Sequence, residues 1–476
     1  MSSPYRSFSA LFLTTLIMLI AQGSLSTYLG LSLAQNQVDS IWIGAMMSCY
    51  YFGLVLGSKL GHKLISRVGH IRAFVACAAI VSACAMSHIL IDKLEIWLLL
   101  RVLVGMGMMC QYMVIESWLN EQAENSQRGA VFAFYMLTSY LGMIGGQLML
   151  MQFPELGLTP LLLISMCSSL CIVPIALTSG IHPAPLQPAP LKIITFWRKV
   201  PQSLTAITIA GLIAGAFYGL APAYMASKGF TTEQVTVFMS VTILAGLLAQ
   251  WPMGKISDRI PRSRILRFNA AALAILTFLM TILPLNTTFF MLTSFFYGFL
   301  AFTIYPIASA FANQHIEQSE RVALSATILL TFGLGACFGP LLASGLIQLL
   351  GPDMLYAFIC LCSLVLFLRL IRVNYTLKMT QRLMDEQQLA QFKMGSGDLV
   401  SSPLAAALDP RVDEATVLAQ MHDEDAAKAQ GYVSSHYDDD IELETELDDH
   451  LWDYTPDNMV YPEPSTSDGS DFKASS

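Results

Sequence analysis

The sequence predicts an all-α integral membrane protein with twelve transmembrane helices, and its composition is the first reason. Of 476 residues, 54% are hydrophobic and only 13% are charged, whereas a soluble chain of this length needs about 25% charged residues. Crossing the ~30 Å hydrocarbon core of a bilayer takes ~20 apolar residues. Twelve runs have this length: residues 9–33, 41–60, 71–91, 96–119, 129–151, 160–178, 204–226, 235–256, 265–285, 289–313, 322–350 and 354–371.

The Lys and Arg residues between these runs predict the orientation, because cytoplasmic loops of membrane proteins carry an excess of positive charge. With the N-terminus inside, fifteen such residues fall on the cytoplasmic side and only Lys93 and Lys228 fall on the opposite side. Both termini are therefore expected in the cytoplasm. The fifteen residues are Arg6, Lys59, Lys63, Arg67, Arg72, Arg128, Lys192, Arg198, Lys199, Lys255, Arg259, Arg262, Arg264, Arg267 and Arg321.

Charge is divided unevenly along the chain. Residues 1–373 carry 20 Lys and Arg against 12 Asp and Glu, a net charge of +8, and residues 374–476 carry 6 against 22, a net charge of −16. The second segment has few large apolar residues, so it cannot bury enough surface to offset the entropy of ordering. We predict an acidic, largely disordered cytoplasmic tail at 374–476, which either only solvates the chain or binds a cytoplasmic partner.

An internal repeat divides the membrane part into two six-helix halves. The segment KLISRVGHIR from Lys63 is similar to KISDRIPRSR from Lys255, and NEQAENSQRGA from Asn120 is similar to NQHIEQSERVA from Asn313, at offsets of 192 and 193 residues. A nearly fixed offset at separate sites indicates a duplicated unit. The expected units are residues 1–180 and 203–373, and the cytoplasmic linker at 181–202 contains five prolines, which exclude one continuous helix.

The loop after the eighth run resembles a signature of the major facilitator superfamily. That signature, G-x-x-x-D-R-x-x-R, occurs as GKISDRIPR, and its matching residues are Gly254, Asp258, Arg259 and Arg262. The loop after the second run fits in part, with Ser66 in the acidic position and matches at Arg67, Gly69 and Arg72. We predict that Asp258 pairs with Arg259, Arg262 or a helix end as a cytoplasmic gate, and that the first-half gate relies on Arg67 or hydrogen bonds.

The resemblance covers nearly all of residues 9–372. The family motif R-x-x-x-G-x-G is present in the fourth run as Arg101, Gly105 and Gly107, and ESWLN at 116–120 is similar to the YcaD-like branch of bacterial transporters. The resemblance implies a multi-pass protein of the bacterial inner membrane. It also implies two halves that rock about a central site and expose it to each side in turn.

Charged residues of the fourth run are the strongest site candidates, because each charge at the centre of a membrane costs at least ~2.5 kcal/mol. Arg101, Gly105, Met108, Tyr112 and Glu116 recur at helical spacing and form one stripe, which is expected to face the interior. Arg101 is either a residue that snorkels to the outer interface or a cavity-facing cation that binds an anion. Glu116 is either a structural partner of Arg128 or Arg67, or the coupling proton site.

Tyrosines are the neutral candidates on the runs expected to line the cavity. They combine a ring with a hydroxyl, so each either contacts the solute or serves as packing or as part of an interfacial belt. Tyr112 and Tyr305 are the better pair because they occupy equivalent positions of the repeat. The tyrosine candidates are Tyr28, Tyr112, Tyr218 and Tyr305.

Motifs of energised pumps and enzymes are missing from the sequence. It has no Walker-type phosphate loop, nucleophile elbow, metal-ligand spacing or basic nucleic-acid stripe, so we expect no cofactor, metal or nucleic acid. The leading prediction is a secondary transporter in a lipid bilayer, with a small organic solute as substrate and protons as the candidate coupling ion. The alternative is a non-transporting membrane sensor or scaffold whose acidic tail recruits a partner.

Overall fold

The computed structural model describes residues 8–124, 127–177, 193–282 and 287–372, and all regular structure in these ranges is helical. The helices are α1 (Ser9–Gln35), α2 (Ser40–Val68), α3 (His70–Leu90), α4 (Leu94–Gln122), α5 (Arg128–Met151), α6 (Leu158–Leu170), α7 (Ile172–Ala176), α8 (Ile193–Lys199), α9 (Pro201–Ser227), α10 (Thr232–Arg259), α11 (Arg262–Ile282), α12 (Thr287–Asn313), α13 (Arg321–Leu350) and α14 (Met354–Arg372), with a 3₁₀ turn at Gln318–Glu320.

Twelve spans of the described residues are long and apolar enough to cross a membrane, which confirms the predicted fold class. They are α1 to α5, the segment Leu158–Ala176 that contains α6 and α7, and α9 to α14. The sixth span is interrupted at Cys171. Pro174 explains the interruption, because it lacks the N–H that would bond to the carbonyl oxygen of Leu170.

Several helices, α2 and α10 among them, extend beyond the predicted ends of their apolar runs, and this corrects the sequence analysis. The second run was predicted to end at residue 60 and the eighth at 256, but α2 continues to Val68 and α10 continues to Arg259. Hydropathy marks where a helix leaves the lipid, and Lys or Arg residues can continue the helix into water. The last turn of α2 ends at Gly69, whose φ of 82° lies in the left-handed region that favours glycine.

Glycine contacts show that the two halves repeat the same packing. A Cβ on Gly105 of α4 would clash with the carbonyl oxygen of Tyr50 on α2, and a Cβ on Gly298 of α12 would clash with that of Thr242 on α10. The contact of α1 with α5 in the first half likewise corresponds to that of α9 with α13 in the second. A Cβ on Gly142 would clash with Leu16 as one on Gly335 would with Thr208, and a Cβ on Gly146 would clash with Ile20 as one on Gly339 would with Leu212.

The halves meet along four helix pairs of the described residues: α2 with α13, α5 with α10, α1 with α9, and α2 with α9. We call the end of the bundle at which α2 and α10 end the basic end, and the other the opposite end. Close contacts lie at the opposite end, where a Cβ on Gly44 would clash with Ser344 and where Thr232 Oγ1 donates to the carbonyl oxygen of Pro154 at 2.9 Å.

Polar side-chain contacts also join the halves deeper in the bundle. The amide Nε2 of Gln250 on α10 donates to the hydroxyl of Tyr140 on α5 at 2.7 Å, and both side chains are buried. At the basic end, Lys199 of α8 forms an ion pair with Glu320 in the turn before α13, at 2.6 Å. Of the expected linker at 181–202, the structure describes residues 193–202. Arg6, Ser126, residues 178–192 and the acidic tail lie outside the described residues.

We predict that Gly105→Ala and Gly298→Ala lower stability by similar amounts, about 1–3 kcal/mol each, because both overpack the same kind of backbone contact. The control is Gly345→Ala on α13, where a Cβ would meet no atom within 4 Å; it is expected to be neutral or slightly stabilising. The measurement is the unfolding midpoint of the purified protein in detergent. A Gly298→Ala variant as stable as Gly345→Ala would contradict the equivalence.

Candidate functional site

The stripe on α4 lies inside the bundle. Arg101 is fully buried, and Tyr112 and Glu116 are each 1% exposed. The two ends of the stripe are ~22 Å apart at 1.5 Å per residue. Arg101 lies towards the opposite end and Glu116 towards the basic end, so they mark two separate buried positions.

Arg101 is held by α2. Its Nη2 donates to Sδ of Met47 at 3.3 Å, and its guanidinium carbon lies 4.7 Å from the centre of the Tyr50 ring. The ring face attracts the cation, and the thioether is a weak acceptor. A snorkelling side chain would place its charge in water, so the complete burial of Arg101 contradicts that alternative.

Glu116 is bound from α5 by a residue that the sequence analysis missed. The hydroxyl of Tyr135 donates to Oε1 of Glu116 at 3.2 Å, and both side chains are buried. Of the two expected partners, Arg128 donates from Nη2 to the backbone oxygen of Asn120 at 3.1 Å, and Arg67 is exposed. The carboxylate thus accepts a hydrogen bond from a phenol.

Buried tyrosines lie between the two ends of the stripe. Tyr50 and Tyr112 lie within electrostatic range of each other, and the Tyr112 hydroxyl has no hydrogen-bond partner among the described residues. Tyr112 in turn interacts electrostatically with Tyr135 and with Glu116. The series from Arg101 through Tyr50, Tyr112 and Tyr135 to Glu116 is what we call the polar chain.

The second half reaches this polar chain through Tyr305. This side chain is 2% exposed, interacts electrostatically with Glu116, and packs edge-on against Phe332 at 4.9 Å between ring centres. The repeat-equivalent pair Tyr112 and Tyr305 therefore lies on the two sides of one buried region.

The other two tyrosine candidates lie elsewhere. Tyr28 donates to the backbone oxygen of Gly157 at 3.2 Å and so joins α1 to the loop before α6. Tyr218 stacks on Phe302 at 5.5 Å, with an angle of 6° between the rings, inside the second half. The structure does not bring either residue into the polar chain.

Tyr50 and Tyr135 could have been found from a signal in the sequence. Tyr50 precedes Gly53 by three residues and Gly57 by seven, so it lies on the small-residue face of α2. Tyr135 precedes Gly142 by seven residues and lies on the corresponding face of α5. Faces with small residues are those that meet other helices closely.

The predicted gating loops are mostly helix ends. Gly254, Asp258 and Arg259 belong to α10, and Arg262 begins α11. In the first half, Arg67 belongs to α2 and Arg72 to α3, and Gly69 stands between those helices. The expectation of loops is wrong for these residues because the helices continue past the lipid boundary.

The second-half gate contains the expected charge pair. Arg262 Nη2 lies 3.9 Å from Asp258 Oδ1, and its Nη1 donates to the backbone oxygen of Ala310 on α12 at 3.5 Å. Arg262 is buried while Asp258 is exposed. In the first half, the hydroxyl of Ser66 donates to the backbone oxygen of Lys63 in its own helix at 3.1 Å.

His315 lies beside this gate, in the segment after α12. Its Nδ1 donates to the backbone oxygen of Phe311 at 2.7 Å. Burial lowers the pKa of His315, and the charge of Arg262 lowers this pKa further, against the raising effect of the bond to Phe311. The imidazole is therefore neutral near pH 7 and adds no charge to the gate.

Twelve apolar helices that could cross a membrane and that enclose buried polar groups are typical of a membrane transporter. The chain belongs to the major facilitator superfamily: the model of that family, described as Major Facilitator Superfamily, matches residues 6–328 and again residues 204–408. It is a multi-pass protein of the bacterial inner membrane.

Curated relatives agree with this assignment. The chain is 28% identical over 377 residues to an uncharacterized MFS-type transporter of Enterobacter sp. (strain 638), which covers 78% of this chain and 97% of the relative. It is also 28% identical over 379 residues to the uncharacterized MFS-type transporter YcaD of Escherichia coli O139:H28, with the same coverage. The resemblance to the YcaD-like branch is confirmed.

Solved structures show the same fold. Two crystal structures of the nucleoside transporter NupG, one of them a point variant, superpose on the chain with TM-scores of 0.64 and 0.65. Their identities to this chain are 16% and 15%, and they cover 77% of it. At that identity the likeness establishes the fold alone.

We predict that Asp258→Asn changes the balance of open states more than Ser66→Ala, because only the first removes a charge pair. A half-exposed pair contributes ~0.5–1 kcal/mol, which corresponds to about a twofold to fivefold change in accessibility. The measurement is the labelling rate of a cysteine introduced at Ser309 on α12, with impermeant reagent added from each side. Equal changes for both variants would remove the proposed asymmetry.

Proposed function

We propose that this transporter moves a small organic solute by secondary active transport, with the proton as coupling ion. In this proposal the units 1–180 and 203–373 rock against each other, the linker at 181–202 and both termini lie in the cytoplasm, and the site opens to each side in turn. The observation that supports it best is the polar chain, which runs buried through the first half from Arg101 to Glu116 and lies within electrostatic range of Tyr305 of the second half.

The contacts between the halves are consistent with rocking. Close packing between them is found at the opposite end, at Gly44 with Ser344 and at Gly30 with Pro222. The cavity at that end, lined among others by Ile43 and Tyr224, measures about 110 Å³, well below the ~300–1,000 Å³ of typical solute sites. The opposite end is thus closed in this conformation, and the basic end is the side from which we expect the site to open.

Glu116 is the proposed proton carrier. A coupling carboxylate must be buried enough to bind a proton and must contact both halves, so that protonation changes their balance. Glu116 is 1% exposed, accepts a hydrogen bond from Tyr135 and interacts with Tyr305 of the second half. In the competing interpretation Glu116 only stabilises the fold through Tyr135.

The alternative function, a sensor or scaffold, depends on the tail at 374–476. That segment lies outside the described residues, so the alternative rests on the acidic composition alone. Flux separates the two functions, because a correctly folded sensor moves no solute. The solute is to be identified by comparing the metabolites of cells with and without this chain, and its flux is then measured in proteoliposomes.

We predict that Glu116→Gln lowers uphill accumulation of the solute about tenfold or more and leaves downhill exchange intact. The neutral amide imitates a permanently protonated acid, so the halves can still rock but cannot use a pH gradient. The measurement is uptake into proteoliposomes with and without an imposed pH gradient, and Glu121→Gln on the same helix is the matched control.

A structural role for Glu116 gives a different result. In that case Glu116→Gln lowers the unfolding midpoint and reduces uphill and downhill flux together. Uphill accumulation that persists in Glu116→Gln at normal stability would exclude the coupling role.

A further inference from the structure

Arg101 is a buried cation whose hydrogen-bonding capacity is mostly unused. Its Nε and Nη1 have no hydrogen-bond partner among the described residues, and its Nη2 contacts only a thioether sulfur. No carboxylate of the described residues forms an ion pair with it. A buried charge left without a counter-ion is strongly destabilising, so this position is suited to an anion supplied from outside the chain.

The surroundings of Arg101 offer further polar atoms. His88 on α3 interacts electrostatically with Arg101, its Nδ1 donates to the backbone oxygen of Cys84 at 2.7 Å, and its Nε2 is buried without a partner among the described residues. The thiol of Cys49 is a second neighbour within electrostatic range. A cation with two free donors, beside neutral polar groups and a tyrosine ring, matches the chemistry that recognises an organic anion.

Met47 separates Arg101 from the second half. Its Sδ accepts from Arg101, and its Cγ would stand 2.8 Å from a Cβ on Gly219 of α9. The same Cβ would stand 3.6 Å from Pro340 of α13. Met47 therefore lies between the cation and the seam at the closed, opposite end. Its unbranched side chain has three rotatable bonds, so it can leave this position without backbone movement.

We propose that Arg101 binds the oxyanion group of an organic anion, and that Met47 covers this site when the halves are closed at the opposite end. When the halves separate there, Met47 loses Gly219 as a packing partner and an oxyanion replaces its sulfur on Arg101. The identification of this anion as the cargo rests on the proposed transport function; the anion site itself does not.

The test uses two thiol reagents of similar size and opposite charge on Met47→Cys. The anionic probe is 2-sulfonatoethyl methanethiosulfonate, and the cationic probe is the corresponding trimethylammonium compound. Rates are measured on the full chain in nanodiscs, which admit reagent from both faces, and the modified cysteine is located by peptide mass spectrometry. The matched control is Met239→Cys, the repeat-equivalent position, where Ser294 stands at the position equivalent to Arg101.

We expect the anionic-to-cationic rate ratio to be about tenfold higher at Met47→Cys than at Met239→Cys, because a nearby buried charge concentrates ions of opposite sign. Arg101→Gln is expected to remove this excess, and Arg101→Lys is expected to keep it within about twofold. The rate ratio at Met239→Cys in the Arg101→Gln background reports whether that variant keeps its fold. This ratio is expected to be the same with and without Arg101→Gln.

Three results would overturn the anion site: equal ratios at the two positions in the presence of Arg101, a ratio at Met47→Cys that survives Arg101→Gln, or no reaction of Met47→Cys with either reagent. The labelling result is independent of transport. A charge preference without solute flux would support the anion site and contradict the transport function. Solute flux without a charge preference would support the transport function and contradict the anion site.

Discussion

Close backbone contact between α2 and α4 is the interaction on which the site depends. Helices in lipid gain little from hydrophobic association, so they hold together where small residues let their backbones approach. Gly53 and Gly105 meet at such a contact, and Cβ atoms there would clash with the neighbouring backbone. Because Arg101 lies one turn from Gly105, the contact also places Arg101 against Tyr50. It holds in a fixed position a charge with which no carboxylate of the described residues forms an ion pair.

The sequence predicted the elements well and their partners less well. Hydropathy located all twelve spans, and the repeat offset indicated a duplicated unit, because both signals are local or internal to the chain. The partners Tyr50, Tyr135 and Met47 were missed, since the residue that meets Arg101 or Glu116 depends on the rotation and register of a facing helix. The ends of α2 and α10 were misplaced because hydropathy marks the lipid boundary and not the last helical residue.

The duplicated fold carries an unequal chemistry. Arg101 and Glu116 have serines at the equivalent positions of the second half, Ser294 and Ser309, whereas Tyr112 has its counterpart in Tyr305. Each buried charge costs at least ~2.5 kcal/mol, so a second set would cost as much again with no clear gain in packing. The first half therefore supplies both charges, and the second half contributes Tyr305, packed against Phe332, within electrostatic range of Glu116.

The distance between the two charges decides how they can cooperate. At ~22 Å, a direct interaction between Arg101 and Glu116 is weak even inside a protein, because the Coulomb energy falls with both the distance and the effective dielectric constant. Each charge is nevertheless linked to the second half: Arg101 contacts Met47, which packs on Gly219, and Glu116 lies within electrostatic range of Tyr305. In the proposed mechanism an anion at one end and a proton at the other bias the same rocking equilibrium. Coupling then arises because both ligands prefer one arrangement of the halves, and it requires no direct contact between them.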